Sequence, residues 1–266
     1  SSYGISKNDN WLDYNLYRST FVRRGSFNYQ NGVSQNAETN FNSVSNDIML
    51  QKRRDFAFGL DAILFKSAMN VELEYFNSAS LDNITLMSST YPQILGFENL
   101  VYSNFNSNQT QGVGLGINYK FELAKDFSVT AGSNLLYISP KITKQEEPAY
   151  TGTDVALLRK GTATDALWAL KSDGLYSETD FNPDGSLVSG LPVPTFGAVQ
   201  PGDIKYLDQN GDNLIDQKDQ RMIGHGLRTQ FSLYLDLNYK NLEFYILGIG
   251  QAGDDNYRSG DYYRVF

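Results

Sequence analysis

Apolar and polar residues alternate along six stretches of the chain, which come in three pairs. A period of two is typical of β-strands whose two faces meet different surroundings. A tight turn joins the members of each pair, at Lys66-Ser67, at residues 124–126 and at Lys240-Asn241. The paired stretches are residues 54–62 with 71–75, 111–123 with 127–137, and 231–239 with 242–246. The pattern therefore predicts three antiparallel hairpins.

The predicted strands are long, with roughly ten residues or more, which is the length that crosses a bilayer at a tilt. Strands of globular proteins typically have about 5 to 6 residues. The second face carries Gly, Ser, Thr, Asn, Asp, Glu and Lys, which would meet water in a soluble sandwich or line the lumen of a barrel. Periodicity alone does not separate these two folds, but strand length favours the barrel.

The connections between the hairpins are much longer than the turns within them, at residues 77–110 and 139–229. Short turns at one end and long loops at the other are typical of outer-membrane barrels, whose long loops face outward. We therefore predict an all-β fold, part of a large antiparallel transmembrane β-barrel with long extracellular loops.

Two parts of the pattern are less regular. Residues 16–24 and 45–51 are candidate strands, and a polar loop rich in Asn, Ser and Gln lies between them. Tyrosines near the ends of the predicted strands fit an aromatic girdle at a membrane interface, although Tyr is also common in strands generally. These tyrosines are Tyr75, Tyr119, Tyr137 and Tyr239.

Composition excludes several classes of protein. The 266 residues include no cysteine, so disulfides and thiolate metal sites are ruled out. The net charge of −8 gives no basic footprint for nucleic acid. A Ser/His/Asp constellation and a Gly-rich phosphate loop are both absent, and His225, the single histidine, lies between two glycines. We therefore do not expect an enzyme.

One twelve-residue stretch, DQNGDNLIDQKD, carries candidate metal chemistry. Calcium loops place oxygen ligands at positions 1, 3, 5, 7, 9 and 12, and Ca²⁺ takes six to eight oxygens. Counting from Asp208, every side-chain position holds an oxygen ligand, position 7 offers a backbone carbonyl, and Ile215 is an apolar anchor. The predicted ligands of a structural Ca²⁺ are Asp208, Asn210, Asp212, Leu214, Asp216 and Asp219.

The stretch departs from the usual calcium loop at two positions. Asn213 replaces the sharp-turn glycine, and Asn tolerates a left-handed backbone best after Gly. Asp219 replaces Glu at position 12 with a shorter arm. The alternative interpretation is a solvated acidic turn, in which the carboxylates would repel one another. Residues 203–206 look extended and glycines follow the loop, so the helices that flank the calcium loop of an EF-hand are not expected. An ion would therefore hold a long loop in place rather than open a pair of helices.

Several motifs in order along the chain resemble SusC/RagA-type TonB-dependent outer-membrane transporters of Bacteroidetes. The most specific is residues 201–206 (PGDIKY) followed by the calcium-type loop and by residues 222–224 (MIG). Looser matches are residues 53–55 (RRD) before a strand ending at residues 74–76 (EYF), residues 109–113 (QTQGV) and residues 168–176 (WALKSDGLY). The resemblance covers about residues 52–260.

The resemblance implies a barrel of about 22 strands with a plugged lumen. Residues 1–266 would be the C-terminal part of this barrel, and the plug, the early strands and the segment that contacts TonB would lie outside them. The family takes up glycans or oligopeptides with a SusD-like lid lipoprotein, in contact with outer-membrane lipids. A SusC-like barrel that serves as a structural component of another outer-membrane complex, and a soluble calcium-stabilised β-rich binding protein, are the alternatives.

Overall fold

The computed structural model describes residues 1–8, 20–28, 34–42, 48–87 and 102–255. Its main feature is an antiparallel sheet of seven strands in the order β1-β4-β5-β6-β7-β14-β15. The strands of this sheet are β1 (Ser2–Asn8), β4 (Gln51–Leu64), β5 (Met69–Leu86), β6 (Tyr102–Ala124), β7 (Phe127–Lys144), β14 (Thr229–Tyr239) and β15 (Leu242–Ala252).

The three predicted hairpins are confirmed as β4–β5, β6–β7 and β14–β15, and the all-β antiparallel fold is confirmed with them. The turn after β4 places Phe65, Lys66 and Ser67 at positive φ, and Lys240 in the β14–β15 turn also has a φ of 50°. Strands β1 and β15 are the two edges of the described sheet, which does not close into a barrel.

The sheet lacks an apolar core of its own. Along β4 the side chains of Phe56, Phe58 and Leu60 all lie exposed on the apolar face. Among the residues whose side-chain exposure the structure describes (1–8, 48–87 and 102–255), the buried hydrophobic residues are only Ala79, Met87, Tyr176 and Ile215. A soluble sheet of this size would bury its apolar face against another layer. The apolar face therefore needs a partner from outside the described chain.

Several predicted boundaries were wrong, and β7, for example, continues to Lys144, into the loop predicted at residues 139–229. Strand β5 continues to Leu86 and β6 begins at Tyr102, so the strands extend well into the predicted 77–110 loop, with register shifts near Ser80 and Asn83. The region before β4 contains β1 and a separate hairpin of β2 (Thr20–Asn28) and β3 (Ser34–Asn42). Strand β3 occupies the predicted polar loop, and residues 48–50 are not in a strand, while residues 16–19 and 45–47 lie outside the described ranges.

Residues 145–228 form an insertion between β7 and β14. It contains three two-stranded sheets: β8 (Ala166–Ala169) pairs with β13 (Arg221–His225), β9 (Ser172–Leu175) with β11 (Ile204–Tyr206), and β10 (Val193–Pro194) with β12 (Leu214–Ile215). Three 3₁₀ helices, Gly152–Leu157, Glu178–Asp180 and Gln217–Asp219, complete it. The calcium-type loop lies in this insertion. No helix in the described part of the chain is long and apolar enough to cross a membrane.

Candidate metal centre

The calcium-type loop, residues 208–219, is held by strands on both sides. Strand β11 before it pairs with β9, and β13 after it pairs with β8, so both flanks are fastened to residues 166–175. The extended flanks predicted from the sequence are confirmed, and the loop has no helix on either side as an EF-hand would. Inside the loop, Ile215 has no exposed surface and forms the predicted apolar anchor.

The backbone of the loop has the conformation that its sequence suggested. Asn213, at the position of the usual glycine, has a φ of 62°, and Gly211 has a φ of 79°. The Val193 N–H donates to the Asn213 carbonyl at 3.0 Å, and the Thr195 N–H donates to the Ile215 carbonyl at 3.0 Å. These two bonds attach the second half of the loop to β10.

Two carboxylates of the predicted ligand set fold the loop. Asp208 accepts the N–H groups of Gly211 at 2.6 Å and Asn213 at 2.8 Å. Asp219 has no exposed surface and accepts the N–H groups of Gln209 and Asp216 at 2.8 and 2.9 Å. Burial disfavours the charged form of Asp208, but the N–H groups of Asn213 and Gly211 outweigh it, so the pKa of this carboxyl is lowered.

The other candidate ligands face nearby donors. Asp212 accepts the Leu214 N–H at 2.9 Å, Asp216 accepts the Lys218 N–H at 2.6 Å, and the Asn210 amide donates to Asp212 at 3.0 Å. In the part of the chain that the structure describes, no three carboxylate or imidazole groups lie close enough together to hold a metal ion by themselves. The donor types and the left-handed Asn213 fit Ca²⁺, which prefers oxygen ligands. Closure around an ion would require the carboxylates to come closer together than they lie here.

Two residues that the sequence analysis missed support the loop. The Arg221 guanidinium donates to the carbonyls of Lys218 and Gln220 at 2.8 and 2.7 Å and to that of Gln209 at 3.1 Å. It therefore ties the two ends of the loop together. A basic residue two positions after an acidic loop is a signal in the sequence. The second residue, Asp154, lies far away in the chain and contacts Lys218 and Asn210.

An ion pair within the insertion lies at its border with the sheet. The Arg228 guanidinium, directly before β14, donates to both oxygens of Asp165, directly before β8, at 2.8 and 2.7 Å. Arg228 is 8% exposed. The hydrogen bonds from Arg228 outweigh the desolvation of Asp165, so the pKa of the Asp165 carboxyl is lowered. The His225 ring contacts the Gly226 carbonyl, and its backbone N–H donates to Asp255.

Aromatic residues of the insertion are candidate ligand contacts or loop-packing residues. Tyr176 is buried against Phe181, with ring centroids 5.7 Å apart, so it packs the insertion. The Arg159 guanidinium lies 5.4 Å from the centre of the Trp168 ring. Phe196 is 60% exposed and touches Tyr206 edge-on at 6.0 Å. Tyr150 donates its backbone N–H to the Pro148 carbonyl.

Comparison with known proteins gives one curated relative and a recurring fold. No family model matches the chain. The TonB-dependent receptor P39 of Formosa agariphila is 26% identical over 301 aligned positions, which cover 99% of this chain and 27% of the receptor. The resemblance to SusC/RagA-type TonB-dependent transporters is confirmed.

Two solved structures share the fold of this SusC/RagA-like chain. The RagAB peptide transporter gives a TM-score of 0.54 at 19% identity, covering 94% of this chain and 26% of the other. The RagAB peptide importer in its closed-closed state gives 0.57 at 18% identity, covering 95% and 26%. The chain therefore spans about a quarter of the length of each relative. All three relatives are named as receptors or transporters, which is consistent with the prediction that the chain is not an enzyme.

Proposed function

We propose that the chain is the C-terminal part of the barrel of an outer-membrane importer. In this proposal TonB drives the uptake of glycans or oligopeptides, and a SusD-like lipoprotein serves as the lid. The observation that carries the proposal is the match of nearly the whole chain to a TonB-dependent receptor, and the RagAB fold supports it. A Gram-negative outer membrane of the Bacteroidetes type is the proposed location.

The spacing of aromatic residues on the sheet supports a membrane location. Phe127 and Tyr239 face each other in one row near the tight turns, with ring centroids 6.0 Å apart. Tyr137, Val113 and Tyr75 form a second row across β7, β6 and β5. Ten residues separate Phe127 from Tyr137, or about 34 Å along a strand. At a tilt of about 40° this spans about 26 Å, close to the ~25 Å apolar band of outer-membrane barrels.

The exposed apolar face also separates this proposal from the soluble alternative. A soluble calcium-stabilised protein would have to cover Phe58, Leu60 and their neighbours with a second layer. The remaining alternative, a barrel that serves as a structural component of another outer-membrane complex, predicts the same membrane location without uptake.

The test uses the full-length protein in its own cells. We expect it to fractionate with the outer membrane and to require detergent for extraction. Deleting its gene should abolish uptake of labelled oligopeptides or glycans, and deleting TonB should have the same effect. Membrane location with unchanged uptake of both substrate classes would favour the structural component, and extraction without detergent would contradict the barrel.

We also propose that residues 208–219 bind a structural Ca²⁺ through the six predicted ligands. The positive charge of the ion would offset the repulsion among the carboxylates, and the bound ion would stabilise the insertion. Replacing Asp208 and Asp212 together by Ala should increase protease cleavage between Tyr206 and Ile223. Equal resistance of the unaltered protein with Ca²⁺ and with chelator would count against the ion.

A further inference from the structure

The two arginines of the RRD motif lie on opposite faces of the sheet. Successive side chains of a strand alternate between its faces, so Arg54 shares the apolar face with Phe56 and Phe58, and Arg53 lies on the other face. Arg53 donates its Nε–H to both oxygens of Asp55 at 3.0 Å. Arg54 is exposed on the apolar face, which meets lipid under the proposed function. A charged side chain on that face calls for an explanation.

Two lysines extend the positive charge around Arg54. In the pairing of β1 with β4, Lys7 lies directly opposite Lys52, and Ile5 lies opposite Arg54. Lys52 and Arg54 are two residues apart on β4, so all three cations share the apolar face. Neighbours of this kind are about 7–8 Å apart, which long side chains can bridge. We call Lys7, Lys52 and Arg54 the cation cluster.

The cation cluster has more positive charge than its surroundings neutralise. The Lys52 ammonium lies 3.6 Å from an oxygen of Asp82, and both side chains are 38% exposed. Among the residues that the structure describes, no carboxylate forms an ion pair with Lys7 or Arg54. Like charges directly opposite one another, such as Lys7 and Lys52, destabilise a strand pair. An anion bound at the cluster would remove this repulsion.

The cation cluster lies at the border of the apolar band, on the side away from the tight turns. Ten residues separate Arg54 from Leu64, where β4 ends at its turn, which is about 34 Å along the strand. At a tilt of about 40° this spans about 26 Å, close to the ~25 Å apolar band of outer-membrane barrels. Between them the exposed side chains of Phe56, Phe58 and Leu60 line the same face. Arg and Lys at such a border place their charges among lipid headgroups.

We propose that the cation cluster binds the phosphate group of an anionic lipid in the outward-facing leaflet of the membrane. The leaflet follows from the long loops, which face outward in such barrels and lie at the same end of the strands as the cluster. Phosphate suits the cluster because the Arg54 guanidinium can donate two parallel N–H bonds to its oxygens, while each lysine adds a point charge. The acyl chains would cover Tyr3 and Ile5, which are 63% and 62% exposed below Lys7 on β1. This inference rests on the membrane location given under the proposed function.

The test measures lipid binding to the full-length protein in non-ionic detergent by native mass spectrometry. Phosphatidic acid is the probe, and phosphatidylcholine, which carries a phosphate but no net charge, is the reference lipid. The unaltered protein should bind the first phosphatidic acid more tightly than phosphatidylcholine. Arg54→Gln should weaken the binding of phosphatidic acid about fivefold, the factor expected for one cation near an anionic lipid surface. Lys7→Gln should weaken it by a similar factor.

Arg53→Gln is the matched control, because it removes the same charge one residue away but from the opposite face of the sheet. It should bind phosphatidic acid like the unaltered protein. Arg54→Lys keeps the charge and should retain most of the affinity, which separates loss of the charge from damage to the fold.

Three results would overturn the proposal and leave the membrane location intact. They are equal affinity of the unaltered protein for both lipids, unchanged affinity in Arg54→Gln, and an equal loss of affinity in Arg53→Gln and Arg54→Gln. Extraction of the full-length protein from its cells without detergent would overturn the membrane location and this proposal with it.

Discussion

Replacing Asp165 by Asn should loosen the junction between the insertion and the sheet. The substitution keeps the shape of the side chain and one acceptor, but it removes the charge that faces the Arg228 guanidinium. Arg228 then keeps its 3.1 Å bond to the Leu227 carbonyl but has no carboxylate partner at Asp165. Its side chain is only 10% exposed, so water replaces the lost carboxylate poorly.

The expected cost is about 2 kcal/mol. Removing one partner of a fully buried ion pair costs about 3–5 kcal/mol. The side chain of Asp165 is 40% exposed, which reduces the loss toward the ~1.5–3 kcal/mol of a hydrogen bond to a charged group. At about 1.4 kcal/mol for each factor of ten, this change raises the population of the locally open state roughly 30-fold.

The Ile138 amide reports this opening because it donates to the Arg228 carbonyl at 2.9 Å. We expect hydrogen exchange at Ile138 to accelerate roughly 30-fold in Asp165→Asn. It should stay unchanged in the control Asp173→Asn, which changes an exposed carboxylate on β9. A double-mutant cycle with Arg228→Met should give a coupling energy above about 1 kcal/mol. An acceleration of less than about threefold, or a coupling energy near zero, would refute the reasoning that this pair holds the junction.

Four further changes test other contacts. Ile215→Ala removes a side chain with no exposed surface and should destabilise the calcium-type loop by about 2–4 kcal/mol, seen as faster exchange in residues 208–219. Asn213→Val, at a φ of 62°, should cost about 1–3 kcal/mol in the same measurement, whereas Asn213→Gly should not. Gly112→Ala places a Cβ against the Phe76 ring and 2.9 Å from the Tyr137 carbonyl, so the free energy of unfolding measured in urea should fall by about 1–3 kcal/mol. Gly114→Ala is the control and should be tolerated, because the nearest neighbour of its Cβ is at 3.7 Å. The pKa of the Asp208 carboxyl is lowered in the folded loop. The charged carboxylate therefore stabilises the loop fully above the ordinary carboxyl pKa of about 4, and this stabilisation is lost as the pH falls through the lowered pKa. Protease cleavage at residues 206–223 should therefore rise only in that acidic range.

The hairpins could be predicted because the two faces of each strand meet different surroundings, so apolar and polar residues alternate along its sequence. That signal stops where both faces are polar. Residues 77–86 of β5 and residues 34–42 of β3 are rich in Asn, Ser and similar residues, so they resemble loops although they form strands. The small sheets of the insertion have strands of two to five residues, which are too short to show a period.

In the candidate metal centre, too, only the residues that follow a local pattern could be predicted from the sequence. Six predicted ligands, the anchor Ile215 and the left-handed Asn213 lie within twelve consecutive residues, so spacing alone was enough to single them out. Arg221 lies two positions after them and carried a weaker signal. Asp154 and the Asp165–Arg228 pair depend on contacts across more than 50 residues of chain, and a local pattern contains no information about such contacts.

The sheet and the insertion are stabilised by different interactions, so different conditions should destabilise them. The described sheet presents an apolar face without a covering layer, and the proposed barrel would cover that face with lipid or detergent. The insertion buries few apolar side chains and is held instead by carboxylates on backbone N–H groups and by ion pairs such as Asp165–Arg228. Changes of pH and of cation concentration should therefore alter the stability of the insertion before that of the sheet. The β14–β15 hairpin should keep its slow hydrogen exchange for as long as the apolar face is covered.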